Sequence, residues 1–325
     1  MKSSAIACAN IAFIKYWGKA DEILRLPANS SVSMNLDSLY TTTTVDFNDS
    51  LINDEILMDG AAIHIVDNRI SQHLDRIRAL AGIKTKAKVA TINNFPEACG
   101  LASSASGFAA LTLAAAAAAG SNLTERELSI MARLGSGSAC RSIPAGFVEW
   151  EKGTSSETSY ATSIFNERHW EIADVVAIIT REAKSIGSTS GQKAAHTSPF
   201  FPTRLVNIDS KIKQIKKYIS GKNFTAFGEL IESEALELHA IALTSKPALV
   251  YWHPQTLQLI RVIHAWRKQG LEAYFTIDAG PNVHIIAQDF NIETVVTEIK
   301  KTEGIMEVIV NRPGKGARLT DNHLF

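Results

Sequence analysis

Four short polar stretches carry side chains whose types and spacing suit phosphate and carboxylate chemistry. Residues 98–108, ACGLASSASGF, set glycines and adjacent serines at the mouth of an alanine-rich tract, AALTLAAAAAAG, that reads as helix. A helix N-terminus presents unpaired N–H groups and a partial positive charge, so a glycine-lined entrance lets an anionic phosphate approach the backbone, and serine hydroxyls there can ligate Mg²⁺ or the phosphate. The same residues would serve equally as an ordinary N-cap. No GxxxxGK[ST] loop is present, and GSGSAC at 135–140 lacks the third glycine of a dinucleotide fingerprint. In RLGSGSACRS, residues 133–142, two glycines and three serines bracket Arg141, whose planar guanidinium can pair in bidentate fashion with carboxylate or phosphate. ANIAFIKYWGK places Lys15 and Lys19 around Tyr16 and Trp17 beside a strand, and TIDAGPN leaves Asp278 at a strand end before Gly280 and Pro281, where aspartates are commonly plain turn formers.

The elements that must position these groups are mixed. AIACANIAFIKYW, TTTTVDF, EILMDGAAIHIVD and AKVATINNF read as strands. In NRISQHLDRIRALAG, Ile70, Leu74, Ile77 and Leu80 recur at helical spacing. TERELSIMARLG reads as a helix with Thr124 as N-cap and Glu127 in the capping-box position. AGFVEWEKG and WEIADVVAIIT return to strand. After about residue 181 a polar Ser/Gly/Pro-rich segment marks an expected domain junction at 180–190, followed by helices in LVNIDSKIKQIKKYISG and FTAFGELIESEALELHAIAL. LEAYFTIDAGPNVHIIA reads as two strands joined at DAGPN, and MEVIVNRPGKGARL as a last strand with a loose tail. The fold class is α+β.

Composition narrows the function. At 325 residues and 46% hydrophobic, the chain can bury two associated cores. Lys plus Arg equals Asp plus Glu at 33 each without a like-charged block, so no nucleic acid or anionic membrane is expected, and the Ala109–Ala119 tract is too short and weakly apolar for a membrane span of about 20 residues. Cys8, Cys99 and Cys140 form neither a disulfide framework nor a zinc motif, which fits a reduced, cytoplasmic protein. His196, His284 and the HPQ at 253–255 lack ligand spacing. Trp17 is expected to wall the site, and Trp150, Trp170, Trp252 and Trp266 to serve packing.

NIAFIKYWGK, LPANSSVSMNL, GLASSASGFAAL, GSGSACRS and DAGPN, in this order from Asn10 to Asn282, resemble the mevalonate diphosphate decarboxylase family of the GHMP kinase superfamily. The resemblance implies a GHMP kinase fold, with a ribosomal-protein-S5-like N-terminal domain (1–185) carrying the phosphate loop, a ferredoxin-like C-terminal domain (186–325), and the active site between them. It implies ATP and Mg²⁺ as cofactors, phosphorylation of the tertiary 3-hydroxyl of mevalonate 5-diphosphate, and loss of that phosphate with CO₂ to give isopentenyl diphosphate. Asp278 would accept or orient the hydroxyl proton, Arg141 would hold the carboxylate, and Lys15 would neutralise phosphate charge. Gly100, Leu101, Ala102, Ser103, Ser104, Ala105 and Gly107 would cradle the ATP phosphates, with Ser104 also at the metal or γ-phosphate and Asn68 and Arg69 on the nucleotide side. Tyr16, Lys19, Ser136, Gly137 and Ser138 would bind the 5-diphosphate end, and Asn10 would orient polar contacts near the transferred group. A homodimer is expected. Departures stand at Ala145-Gly146 after Pro144, where the family has Gly-Gly, at Gln192 for a common Met, and at Thr189 for a basic residue of some bacterial relatives. A pocket with fewer cations would favour mevalonate 5-phosphate, with Glu182 and Lys184 either compensating or merely decorating the junction. A 3-kinase without decarboxylation and a non-catalytic binding module are the further alternatives.

Overall fold

The computed structural model describes residues 1–62, 69–95, 103–182 and 187–325. In chain order its elements are β1 (Lys2–Ile14), β2 (Lys19–Asp21), β3 (Leu26–Pro27), β4 (Ser31–Phe47), β5 (Glu55–Met58), β6 (Ala61–Ala62), α1 (Arg69–Ala81), β7 (Ala87–Asn93), α2 (Ser103–Ala118) and α3 (Glu125–Gly135), followed by a 3₁₀ turn over Gly137–Ser142. Then come β8 (Phe147–Trp150), β9 (Ala161–Phe165), β10 (Ile172–Ile178), α4 (Ser188–Ala194), α5 (Phe201–Ser220), α6 (Phe224–Thr244), α7 (Pro254–Lys268), β11 (Ala273–Thr276), β12 (Val283–Gln288), α8 (Ile292–Lys300), β13 (Glu307–Asn311) and β14 (Arg318–Thr320).

The long β4 is the spine of the first sheet. Its N-terminal end pairs with β8, its C-terminal end with β7, and most of its length with β1. Helix α2 lies on this sheet through Ala109, Ala110, Ala114, Ala115 and Ala118, whose small side chains permit close approach to β1 and β4. That approach fixes where the serine-bearing first turn of α2 lies. Thr124 caps α3 as expected: its Oγ accepts from the Glu127 N–H at 3.3 Å while Glu127 Oε2 accepts from the Thr124 N–H at 2.8 Å.

β10–β13 form a second, antiparallel sheet in the order β11-β12-β10-β13. One face buries Val175, Phe275 and Ile285 with Ile260 and Ile263 of α7 and Val295 of α8. The other shares a core with α5, α6 and the first sheet, in which Phe13 packs edge-on against Phe227 at 4.8 Å between ring centroids. This common core ties the sheets together and aligns the end of β1 with the end of β11.

The structure differs from expectation at three places. The second sheet begins at Ile172, before the Ser/Gly/Pro-rich stretch expected to mark the junction, because β10 finds its partners in β12 and β13. The tail is not loose: β14 pairs with residues 4–6 of β1, returning the chain to the first sheet. Helices α7 and α8 were not anticipated, and the HPQ at 253–255 opens α7, with His253 at its N-cap.

Candidate active site

A cavity of about 290 Å³ opens where β1, the 3₁₀ turn, α2, α4 and the β11–β12 connection converge. Lys15, the first residue after β1, is 1% exposed. Its ammonium donates to Asp278 Oδ1 at 2.6 Å and to the Ala12 carbonyl at 2.8 Å. Burial pulls the Lys15 pKa below its usual value, and the neighbouring Asp278 and Glu234 carboxylates resist that pull. Burial pushes Asp278 the other way, but the ammonium outweighs it and holds the carboxyl below its ordinary range, helped by His284 and Arg141. Asp278 keeps 28% of its side chain open, so an ionised carboxylate faces the cavity.

Arg141 reaches the same space from the 3₁₀ turn. Its Nε donates to Asn10 Oδ1 at 3.2 Å and its Nη1 to Ser31 Oγ at 2.9 Å, and the guanidinium lies 5.8 Å from the Trp150 ring centroid. Asn10 in turn donates to Ser142 Oγ at 2.8 Å and to the Ser138 carbonyl, so its amide orients the arginine and the turn. Tyr16 stands edge-on to Trp150, and its buried hydroxyl has no partner among the described residues. Gly137 lets the ring sit there, because a Cβ would come within 2.7 Å of the Tyr16 hydroxyl. Lys19 donates to Glu22 at 2.7 Å at the cavity wall.

Two further guanidiniums converge on the C-terminal end of α3. Arg25 donates to the Leu134 carbonyl at 3.0 Å and Arg69 to the Gly135 carbonyl at 3.2 Å. Unpaired carbonyls at a helix C-terminus favour cations. Arg25 occupies φ +52°, a left-handed conformation that a non-glycine residue takes at a cost and that clusters at functional sites. Burial and then the Arg69 charge lower its pKa. An anion between them would relieve that repulsion.

The first turn of α2 borders this cavity and a second one of about 350 Å³, with Arg69, Ser103 and Ser104 common to both. Ser104 Oγ accepts from Ser136 Oγ at 3.3 Å. The second cavity is walled by Ile56, Met58, Ile70, Val89, Phe108 and Leu111, with Thr43, Thr91 and Asn93 among them, a mostly apolar chamber that Arg69, Ser103 and Ser104 join to the first. That shape suits a ligand with a flat apolar end and a polyphosphate tail.

Of the expected site residues, Asn10, Lys15, Tyr16, Lys19, Arg69, Ser103, Ser104, Ser136, Gly137, Ser138, Arg141 and Asp278 line the first cavity. Gly107 lines only the second, and Ala105 is fully buried and lines neither. Its side chain points into the packed interior because α2 presents that stripe to the sheet. Asn68, Gly100, Leu101 and Ala102 lie outside the described residues, as do Cys99 and Lys184. Thr189, Gln192 and Trp17 lie on the wall, as does Arg25, which the sequence did not single out. Trp150 and Trp170 are core residues, and Trp150 also backs Tyr16 and Arg141. Among the described residues, no group of three or more His, Cys, Asp or Glu side chains is arranged to hold a metal ion.

Family models describe most of the chain: a diphosphomevalonate decarboxylase-like N-terminal domain matches residues 7–161, and a mevalonate 5-diphosphate decarboxylase C-terminal domain matches residues 174–316. The chain belongs to the diphosphomevalonate decarboxylase family. The diphosphomevalonate decarboxylase of Candida albicans is 36% identical over 93% of this chain and 88% of its own. The crystal structure of the mevalonate diphosphate decarboxylase from Staphylococcus aureus is 37% identical, covers 98% of both chains and superposes with a TM-score of 0.94. A solved complex of the protein designated MDDEF with MVAPP, AMPPCP and magnesium is 38% identical, covers 99% of both chains and has a TM-score of 0.93. The diphosphomevalonate decarboxylase family thus supplies the fold expected from the motifs, the α+β GHMP kinase fold.

Proposed function

We propose that this chain catalyses ATP-dependent decarboxylation of mevalonate 5-diphosphate to isopentenyl diphosphate, with ADP, phosphate and CO₂ as the other products. The observation that carries the reading is the buried Lys15–Asp278 contact at 2.6 Å, made between the ends of strands from two different sheets and opening onto a cavity that Arg141 also enters.

The chemistry follows from these groups. Asp278, held ionised by Lys15, is the group that accepts or orients the proton of the tertiary 3-hydroxyl while that oxygen attacks the γ-phosphorus. Phosphate is then the leaving group: its C–O bond breaks as the C–C bond to the carboxylate breaks, and that electron pair becomes the new double bond. Arg141 pairs with the carboxylate until it departs as CO₂, and Lys15 and Arg141 lie where negative charge collects on the leaving phosphate. Tyr16, Lys19, Ser136 and Ser138 hold the 5-diphosphate, and Arg25 adds a cation on that wall. Ser103, Ser104 and the first N–H groups of α2 receive the ATP phosphates, and the second cavity takes the base. Ser103 and Ser104 would hold Mg²⁺ together with the ATP phosphates, and the ion would supply charge neutralisation there, a hard cation of this kind commonly needing few protein ligands.

The test is to incubate the purified protein with Mg·ATP and either mevalonate 5-diphosphate or mevalonate 5-phosphate, following ADP and CO₂ together, with and without EDTA. Equal, EDTA-sensitive release from the diphosphate supports the reading. Release from the monophosphate alone would assign that substrate instead, and ADP without CO₂ would make the chain a 3-kinase. We also place the chain in the cytoplasm as a homodimer. Buried free thiols at Cys8 and Cys140 support a reducing compartment, and partly exposed leucines on α6 and α7, Leu236, Leu243 and Leu257, support self-association. Sedimentation equilibrium at monomer mass would overturn the dimer.

A further inference from the structure

Lys15 is the hub of the site, yet the strand that carries it ends one residue earlier, and its main chain is held by the second layer of helices. Glu234 of α6 and Arg204 of α5 are both fully buried. Arg204 donates from Nη2 to Glu234 Oε2 at 2.9 Å and from Nη1 to Glu234 Oε1 at 3.1 Å. The same two groups then grip one residue: Glu234 Oε2 accepts the Lys15 N–H at 3.1 Å, and Arg204 Nη2 donates to the Lys15 carbonyl at 2.9 Å. Asn29 Nδ2 donates to that carbonyl at 2.9 Å. Outside the pair, Lys211 and Glu237 close the network toward solvent, Lys211 on Glu234 at 2.7 Å and Glu237 on Arg204 at 3.0 Å, with Lys211 and Glu237 also paired to each other.

Buried ion pairs are poor devices for stability alone, since well-packed apolar residues of similar volume frequently replace them without loss. Here the pair meets a requirement that an apolar plug cannot. At a strand end inside the core, Lys15 has an N–H and a C=O that both need partners. A neutral donor and acceptor would satisfy them, but the carboxylate also places a negative charge beside a buried ammonium.

We propose that Glu234 and Arg204 are positioning residues that clamp the Lys15 backbone so that its ammonium meets Asp278. This rests on the decarboxylase reading of the cavity. Beyond Glu234, the charged or titratable groups facing Lys15 are Arg204 on α5, Asp278 after β11, Arg141 on the 3₁₀ turn and His239 on α6. Burial comes first among the causes that lower the Lys15 pKa, Arg141 adds to it, and Asp278 and Glu234 oppose it. Loss of the Glu234 charge therefore moves Lys15 further down.

The experiment compares wild type, Glu234→Gln and the double variant Glu234→Gln/Arg204→Met, which leaves no unpaired buried arginine if the single change fails to fold. Each is assayed for ADP and CO₂ across pH on the substrate that wild type turns over, beside a thermal melt. The clamp predicts a fall in kcat of about a hundredfold, the scale of a misplacement of about 1 Å. It also predicts KM values within about threefold of wild type and, in Glu234→Gln, a basic limb of kcat displaced to lower pH. A folded double variant with kcat within about threefold of wild type overturns it, even if its melting temperature has dropped, because a purely structural pair would move the melt and leave kcat in place. Absence of turnover in wild type would instead fail the functional reading, so the two failures are distinguishable.

Discussion

Asp278→Asn isolates the central contact because it preserves shape and removes charge. The asparagine carbonyl can still accept from Lys15, so the fold has little reason to change. Two losses follow in the chemistry. The first is the proton acceptor for the 3-hydroxyl, worth about 10²–10⁴ in rate for a positioned base. The second falls on Lys15. Asp278 is foremost among the groups that oppose the effect of burial on this lysine, so in the variant its pKa drops further and the ammonium is less available to a transferring phosphate. Together these predict a kcat reduction of at least about 10³, or ~4 kcal/mol of barrier, with nucleotide affinity within about threefold of wild type because the second cavity and the α2 turn are untouched. Single-turnover release of ADP and CO₂, with AMPPCP binding measured in parallel, checks both parts. CO₂ release within about threefold of wild type would refute a proton-handling role for Asp278. In wild type, the acid limb of kcat should lie below the ordinary aspartate value of 3.8, since Lys15 depresses Asp278.

Gly137→Ala pushes a methyl to 2.7 Å from the Tyr16 hydroxyl and displaces a ring that Trp150 backs; KM for mevalonate 5-diphosphate should rise about tenfold with the ADP to CO₂ ratio unchanged, as overpacking costs ~1–3 kcal/mol. Thr189→Arg adds a cation at an exposed position on the cavity wall; a charged hydrogen bond is worth ~1.5–3 kcal/mol and less when open to water, so KM for the diphosphate should fall about tenfold and KM for the monophosphate much less. His73 and His239 are pulled by burial to about 3, and both stay neutral in the native state while the unfolded chain takes up protons below 6.5. Unfolding free energy should therefore decline as pH falls from 6.5 toward 3, by up to ~1.4 kcal/mol per pH unit for each ring. Urea titrations at pH 7, 6 and 5 measure the slope, and His73→Gln should make it shallower.

The polar half of the site was legible because phosphate and carboxylate chemistry restricts residue choice. Lys15, Arg141, Ser104 and Asp278 stood in stretches that singly read as well as caps and turns, and it was their order along the chain, shared with one family, that joined them. The apolar half was not legible. Ile56, Val89 and Phe108 alternate or repeat like any core residue, and the pattern is the same whether a helix or a ligand covers them. Arg25 was one basic residue in a polar turn, and only its left-handed backbone and its carbonyl partner bring it to the wall. Glu234 and Arg204 lie on separate helices, so neither their pairing nor their reach to Lys15 follows from local spacing. The tail looked loose because three residues of β14 pair with β1 across nearly the whole chain. Helix α7 carries Leu259, Ile260, Ile263 and Trp266 on its buried side, and Pro254 opens it at a position where a missing N–H costs the helix nothing.

The position of the Lys15–Asp278 contact explains why a kinase frame can support decarboxylation. Lys15 belongs to the first sheet and Asp278 to the second, so any relative movement of the two layers changes the distance between them. The common core fixes that relation from behind, through Phe13 on Phe227, while the Arg204–Glu234 pair fixes it from the side. Phosphoryl transfer alone needs an acceptor hydroxyl, its base and an anchored nucleotide, and those could all sit near the α2 turn. Fragmentation also needs the carboxylate, carried on the adjacent carbon, held so that its C–C bond lines up with the breaking C–O bond. Arg141 meets that need because Asn10 and Ser31, from β1 and β4, aim it into the cavity. In the proposed mechanism the Lys15–Asp278 pair serves the phosphoryl transfer and Arg141, held at a fixed angle to it, serves the fragmentation.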